Sequence, residues 1–364
     1  MSEDRKIDWL VSDAGWTHFK NGHASILRRS VFALSLILAS FFGAASARAT
    51  DVEEFYKGRT MPVIIGFGVG GGYDLFGRLL ARHMPKFIPG APRMVPQNMV
   101  GAGSLRTANY LYAIAPKDGS VIGTFGRTLP LAPLLAKADY DSRRFTWLGS
   151  LSQDVTVCFS WHQSSIKTWN DFISVPSTFG GEGPGAEPDI YALLFKNVFG
   201  AKLKLVSGYH GTKDLFLALE RQEIDGLCGI SWGTIVSLYP TWLNERKINI
   251  LVQAGLRTIP ELGSTPSASA LAAGPEQRQI LKIIFTSLAM ARPFAAPPGI
   301  PADRQAALVS AFEKMAEDPE FLKEAEKLNL NVEQVRSITI DALLAEAYAT
   351  PSEDIQKTIE AISK

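Results

Sequence analysis

The sequence predicts an α/β protein of two lobes with a ligand cleft between them. Three observations carry that expectation. Short apolar runs alternate with helically patterned segments along most of the chain after residue 50, as in mostly parallel sheets covered by helices. The alternation comes as two series, joined near residue 150 by the extended segments RFTWLGSL and TVCFSW. Glycine-rich turns stand where strands hand over to helices, the position at which α/β folds bind ligands.

The 364 residues leave room for two ordinary domains, and 46% of them are hydrophobic. Lys and Arg number 37 against 36 Asp and Glu, so no basic surface points to a nucleic acid partner. The stretch SILRRSVFALSLILASFFGAASARATD joins a basic pair, an uninterrupted apolar run and the small-residue triplet Ala47-Arg48-Ala49. That is the pattern of a secretory signal peptide cleaved near Ala49, with a retained membrane anchor as the alternative. Val31 stands where a twin-arginine signal prefers Phe, which favours the general secretion route. Residues 1–49 are therefore read as an N-terminal extension and signal peptide, and the mature chain as periplasmic. Cys158 and Cys228 lie in apolar runs and are expected as buried free thiols, although an oxidising compartment allows them to pair.

In order, MPVIIGF reads as a buried strand, DLFGRLLARHM as a helix, RMVPQNM as a second strand and SLRTANYLYAIA as a second helix. APKDGSVIGTF supplies a turn and a third strand. The second series runs through the helical patch TWNDFI, strand VPSTFGG, helix DIYALLFKNVFG, strand KLKLVSGY and helix TKDLFLALERQ. IDGLCGI and INILVQAGL complete its sheet. SLAMARPFAAPPGIP reads as a return segment, followed by helices at 303–317, 319–327 and 341–362. One lobe is thus expected from residues 50–150 with 287–364, and the other from 151–286.

Two catalytic-looking motifs fail their own tests. Gly66, Gly68 and Gly71 match G-x-G-x-x-G, but a dinucleotide site needs an acid about twenty residues on. No Asp or Glu occurs between Asp74 and Asp118, and the second strand ends in Gln97-Asn98. Gly229, Ser231 and Gly233 match the nucleophile elbow G-x-S-x-G, which requires a later His. All five histidines precede Ser231, which instead suits the start of a helix. The histidines are isolated, so neither a metal nor a cofactor is expected. Asp74 is expected to cap free N–H groups rather than to act as a base.

What remains is anion chemistry. A helix start carries unpaired N–H groups and a partial positive charge, and glycine lets a ligand approach them closely. The chain offers this at GGGYD, GAGS, GEGPGAEPD and YHGTKD, two in each expected lobe. Arg127, past the third strand, is a candidate partner for a second carboxylate, with a solvated surface arginine as the alternative. Tyr73 and Trp232 are candidates for apolar cleft walls.

Six stretches, in order, resemble the Bug family, the periplasmic solute receptors of tripartite tricarboxylate transporters. GGGYDLFGRLLARHM is similar to its first glycine loop and helix, VPQNMVGAGS to its N-x-x-GAGG element and APKDGSVIGTF to its PDGYTL turn. GGEGPGAEPDIYALLF, SGYHGTKDLFLALERQEIDGL and ARPFAAPPGIPAD are similar to its second-lobe loop, its YKG segment and its return segment. The resemblance implies a type II periplasmic-binding-protein (Venus flytrap) fold, no catalysis, and a small organic acid or amino-acid-like carboxylate as ligand. Membrane transport subunits would be the partners, and a sensor kinase or an exported serine hydrolase are the alternative settings. By match, the implied ligand-binding positions are Gly70, Gly71, Gly72, Tyr73 and Asp74, with Gly101, Ala102, Gly103, Ser104 and Thr124. Gly185, Ala186, Tyr209, Gly211 and Thr212 face them from the second lobe. Ala186 and Asp189 depart from the family's Ser and His, and Glu182 and Glu187 add acid near the cleft, which suits a ligand with a cationic end.

Overall fold

The computed structural model describes residues 51–363; the expected signal peptide lies outside the described residues. Its strands run β1 (Thr60–Ile65), β2 (Arg93–Asn98), β3 (Ile122–Thr124), β4 (Thr146–Ser150), β5 (Thr156–Trp161), β6 (Ser177–Gly181), β7 (Leu203–Ser207), β8 (Gly226–Ser231), β9 (Ile248–Ala254), β10 (Pro293–Ala296) and β11 (Val335–Arg336). They form two sheets, of order β11-β4-β10-β3-β1-β2 and β7-β6-β8-β5-β9. Each sheet holds three parallel strands and a strand from the crossing or return segments set antiparallel to them, β10 in the first and β5 in the second.

Alternation along β1 explains its near-continuous apolar sequence, because both faces of the sheet are covered. Val63 and Ile65 point into a core with Phe76, Leu79 and Phe312. Ile64, between them, points into an opposite core with Leu111, Phe125 and Trp147. The second sheet is covered likewise: Phe179 packs with Tyr191 and Phe195 on one side, and Phe159 with Phe216 and Trp242 on the other.

Four features differ from the sequence expectation. The expected helix 341–362 is two helices, Ser337–Tyr348 and Ser352–Ala361. Pro351 between them lacks the N–H a continuous helix needs and pushes Thr350 out of helical geometry. The second of these helices packs on Glu187–Phe199 and Pro275–Thr286, and Asn197 donates to the Ala361 and Ser363 carbonyls at 3.1 and 2.7 Å. The expected helix after GAGS is a short α-helix, Leu105–Asn109, that widens into a π-turn over Tyr110–Ile114. Helix Pro275–Thr286, which no expectation covered, buries Ile280, Leu281, Ile283 and Ile284. Finally, Cys158 and Cys228 are not free thiols but a disulfide. They sit on the antiparallel neighbours β5 and β8, where Val157 pairs with Ile230 and Phe159 with Leu227, so sheet topology alone brings the sulfurs together.

Candidate ligand-binding cleft

The cleft is about 690 Å³, a volume suited to a small organic molecule. Its first wall is the loop from β1 into helix Gly72–His83. The loop is held from behind by two side chains. Asp74 accepts from the Gly70 N–H at 2.9 Å and from Arg78 Nε. Asn98 donates from Nδ2 to the Phe67 carbonyl at 2.7 Å and to Asp74 at 2.8 Å. Asn98 therefore ties the loop down from the strand end where a dinucleotide site would carry its acid. Burial works against the Asp74 charge, but the bonds from Arg78, Asn98 and Gly70 hold its carboxyl below the usual range.

The second wall is GAGS. Ala102, Gly103 and Ser104 are successively left-handed, at φ of +48°, +57° and +71°. Such a conformation costs roughly 1–2 kcal/mol for each non-glycine residue and persists where the surroundings over-determine it. Here Ser104 is wedged against Gly66, where an added Cβ would lie only 2.4 Å from its own Cβ. The Ser104 hydroxyl accepts from the Gly126 N–H at 2.7 Å.

The opposite wall comes from the second sheet. The loop after β6 is held in the same manner as the first: Asp189, buried early in helix Glu187–Phe199, accepts from the Gly183 N–H at 2.9 Å and from the Ser207 hydroxyl. Gly103 faces Ala186 across the cleft, with an ideal Cβ at Gly103 lying 3.5 Å from Ala186. Thr128 donates to the Gly185 carbonyl at 3.2 Å, so the two walls touch.

Of the sequence-predicted positions, Gly70, Gly71, Gly72 and Tyr73 line the cleft, as do Gly101, Ala102, Gly103 and Ser104. Ala186, Tyr209, Gly211 and Thr212 line it from the other side. Asp74 and Thr124 are buried beneath the first loop, and Gly185 lies beside the lining rather than in it. Arg127 is not brought to the cleft. It is 0% exposed, with Nε on Glu187 and Nη1 2.7 Å from Asp154, and its backbone N–H donates to the Tyr73 hydroxyl at 3.0 Å. Burial works against its charge, and Glu187 and Asp154 outweigh it, raising its affinity for the proton. Glu187 is thereby committed to Arg127. Trp232 packs against the second sheet's core, while Ser231 lines the cleft and caps helix Trp232–Leu238 by accepting from the Thr234 N–H at 3.3 Å.

Two lining residues set the charge of the cleft: Glu182, which the sequence placed near it, and Arg292, which sequence reasoning missed. Glu182, half-buried in the opposite wall, accepts from Thr212 Oγ1 at 3.2 Å. Burial, with Glu187, Asp189 and Asp214 adding to it, pushes its carboxyl up to about 7. Arg292, just before β10, turns its guanidinium over the Tyr73 ring at 4.6 Å. No local signal marks Arg292: it belongs to the return segment, far in sequence from every glycine loop.

No protein-family model matches the chain, and no curated protein sequence does. Solved structures do match. BugD, a periplasmic binding protein, is 18% identical at a TM-score of 0.65, covering 84% of this chain and 97% of its own. MatC from Rhodopseudomonas palustris, solved with bound malate, is 20% identical at 0.64, covering 84% of this chain and 99% of its own. A further R. palustris protein, solved with adipate, is 17% identical at 0.62, covering 83% and 97%. The chain has the two-lobed fold of the periplasmic binding proteins. In this binding-protein fold each sheet is the centre of one lobe, and the cleft lies where the strand-to-helix loops of both converge.

Proposed function

We propose that this protein is a periplasmic solute receptor of the Bug kind, which closes on a small carboxylate and delivers it to the membrane subunits of a tripartite tricarboxylate-type transporter. The observation that carries the proposal is the convergence of glycine-rich helix starts from both lobes on one cleft. Helix-start N–H groups bind carboxylate without needing a basic side chain, and closure removes competing water. The neighbours solved with malate and adipate support a carboxylate as the ligand class. The Cys158–Cys228 disulfide supports an oxidising compartment. Ser231, as a helix cap, supports binding rather than acyl-transfer chemistry.

A thermal-shift screen against a library of organic acids and amino acids tests the reading. A ligand at one hundred times its Kd stabilises the folded state by about 2.7 kcal/mol, a rise of several degrees in Tm. A flat response across the library would remove the receptor assignment.

A further inference from the structure

Arg292 is a buried, under-bonded cation in the wall of the cleft. The residue is 5% exposed, and a guanidinium keeps its charge in proteins. Nη1 donates to the Ala291 carbonyl at 2.8 Å and lies 3.8 Å from Asp154, whose carboxylate is already held by Arg127 and the Val155 N–H. Nη2 has only contacts of 3.4 Å to the Ser231 and Thr234 hydroxyls, the outer limit of a hydrogen bond. Nε is buried with no partner. Arg127 provides the contrast, since it holds two carboxylates and does not line the cleft.

The under-bonded side of the group is also the side turned towards the cleft. Nη2 lies beside Ser231 and Thr234, both lining residues, and an ideal Cβ at Gly72 would come within 3.1 Å of Nη2 and 3.7 Å of Nε. Gly72 opens helix Gly72–His83, so the Nε and Nη2 donors sit beside a helix start with its own partial positive charge. A buried charge without a partner is costly, and a planar fork of two N–H donors matches one carboxylate.

We infer that Arg292 is the carboxylate anchor of the cleft, receiving one ligand carboxylate through Nε and Nη2 beside the start of helix Gly72–His83. This rests on the receptor reading above and gives it a specificity-determining residue: the ligand must present a free carboxylate to this end of the cleft, and its amide or ester is rejected.

Calorimetric titration of the wild type with malate, adipate, L-glutamate and benzoate selects the tightest probe, which is then titrated into Arg292→Gln and Arg292→Lys. Arg292→Gln should weaken it about 100-fold, and Arg292→Lys about 10-fold, since lysine restores charge but not the fork. Should Arg292→Gln fail to fold, wild type with 15N-labelled arginine gives the reading: the probe must shift an Nε–H resonance that Arg292→Lys lacks. A wild type that binds while Arg292→Gln binds within twofold, or an unmoved Nε–H resonance, overturns the anchor and leaves the receptor reading standing. A wild type silent to all four probes and to the acid library overturns both.

Discussion

Glu182 is a half-buried acid in a cleft wall, with Glu187, Asp189 and Asp214 around it and only the Thr212 hydroxyl donating to it. Its carboxyl is raised from 4.5 to about 7, so between those values the folded state binds a proton that the unfolded chain has released. The stability this contributes is fully present below about pH 4.5 and is lost as the pH rises through about 7. Glu182→Gln should therefore melt with the wild type at pH 5 and a few degrees above it at pH 8, in thermal melts across that range. Above pH 7 the wall also faces the ligand as a charge. The preference for glutamate over glutarate, which lacks the ammonium, should then rise with pH in the wild type and stay flat in Glu182→Gln. Gly71 offers a cleaner steric test. Its φ is −86° and an added Cβ meets nothing closer than 3.9 Å, so Gly71→Leu fills the cleft without strain. Its Tm should stay within about 2 °C of wild type while calorimetry finds ligand binding lost. Gly103→Leu should abolish binding too, but with a stability loss of about 1 kcal/mol, because its φ is +57°.

Elements were legible in the sequence wherever their signal was local. Helix 319–327 is read to the residue, since Asp318 accepts from the Phe321 N–H as cap and Pro319 opens the first turn. The strand ends at β1, β2 and β6 follow their apolar runs into turn residues. The 341–362 expectation failed because Ile355 and Ile359 keep helical spacing after Pro351, so periodicity outran the break. Helix Pro275–Thr286 carries a helical apolar stripe of Ile280, Leu281, Ile283 and Ile284, a local signal that the expected element order lacks. At this scale the disulfide is a staple between β5 and β8. Replacing both Cys158 and Cys228 with Ser should lower stability by about 2–4 kcal/mol, seen in denaturant melts, with the far-UV spectrum retained because both strands stay in the second sheet.

In the whole molecule, the lobes are joined by charge as well as by chain. Arg127 follows β3 of the first sheet and holds Glu187, which opens a helix on the second. Arg257 and Glu333 make a more exposed pair between segments following β9 and preceding β11. Removing one partner of a buried pair strands the other, so Arg127→Gln should destabilise the protein by about 3 kcal/mol in denaturant melts. That loss should exceed the one caused by Arg292→Gln, whose guanidinium leaves no carboxylate orphaned. Much of the candidate site was legible because turn chemistry is local: glycines at strand ends followed by helical patterns reveal helix-start N–H groups wherever they occur. The roles of its arginines were not. Arg127 reads as a cleft residue from its place after β3, yet Glu187 of the second sheet's helix and Asp154 of the crossing segment hold it in a buried site. Arg292 carries no motif, and only strand β10, running back antiparallel to β3, lays it over Tyr73. The sequence by itself determined the α/β alternation and the glycine turns that lead into helix starts, because propensity and periodicity act over a few residues. Strand order, the sulfur pairing and which arginine reaches the cleft were decided only by tertiary structure, because they depend on how sheets pack elements distant along the chain.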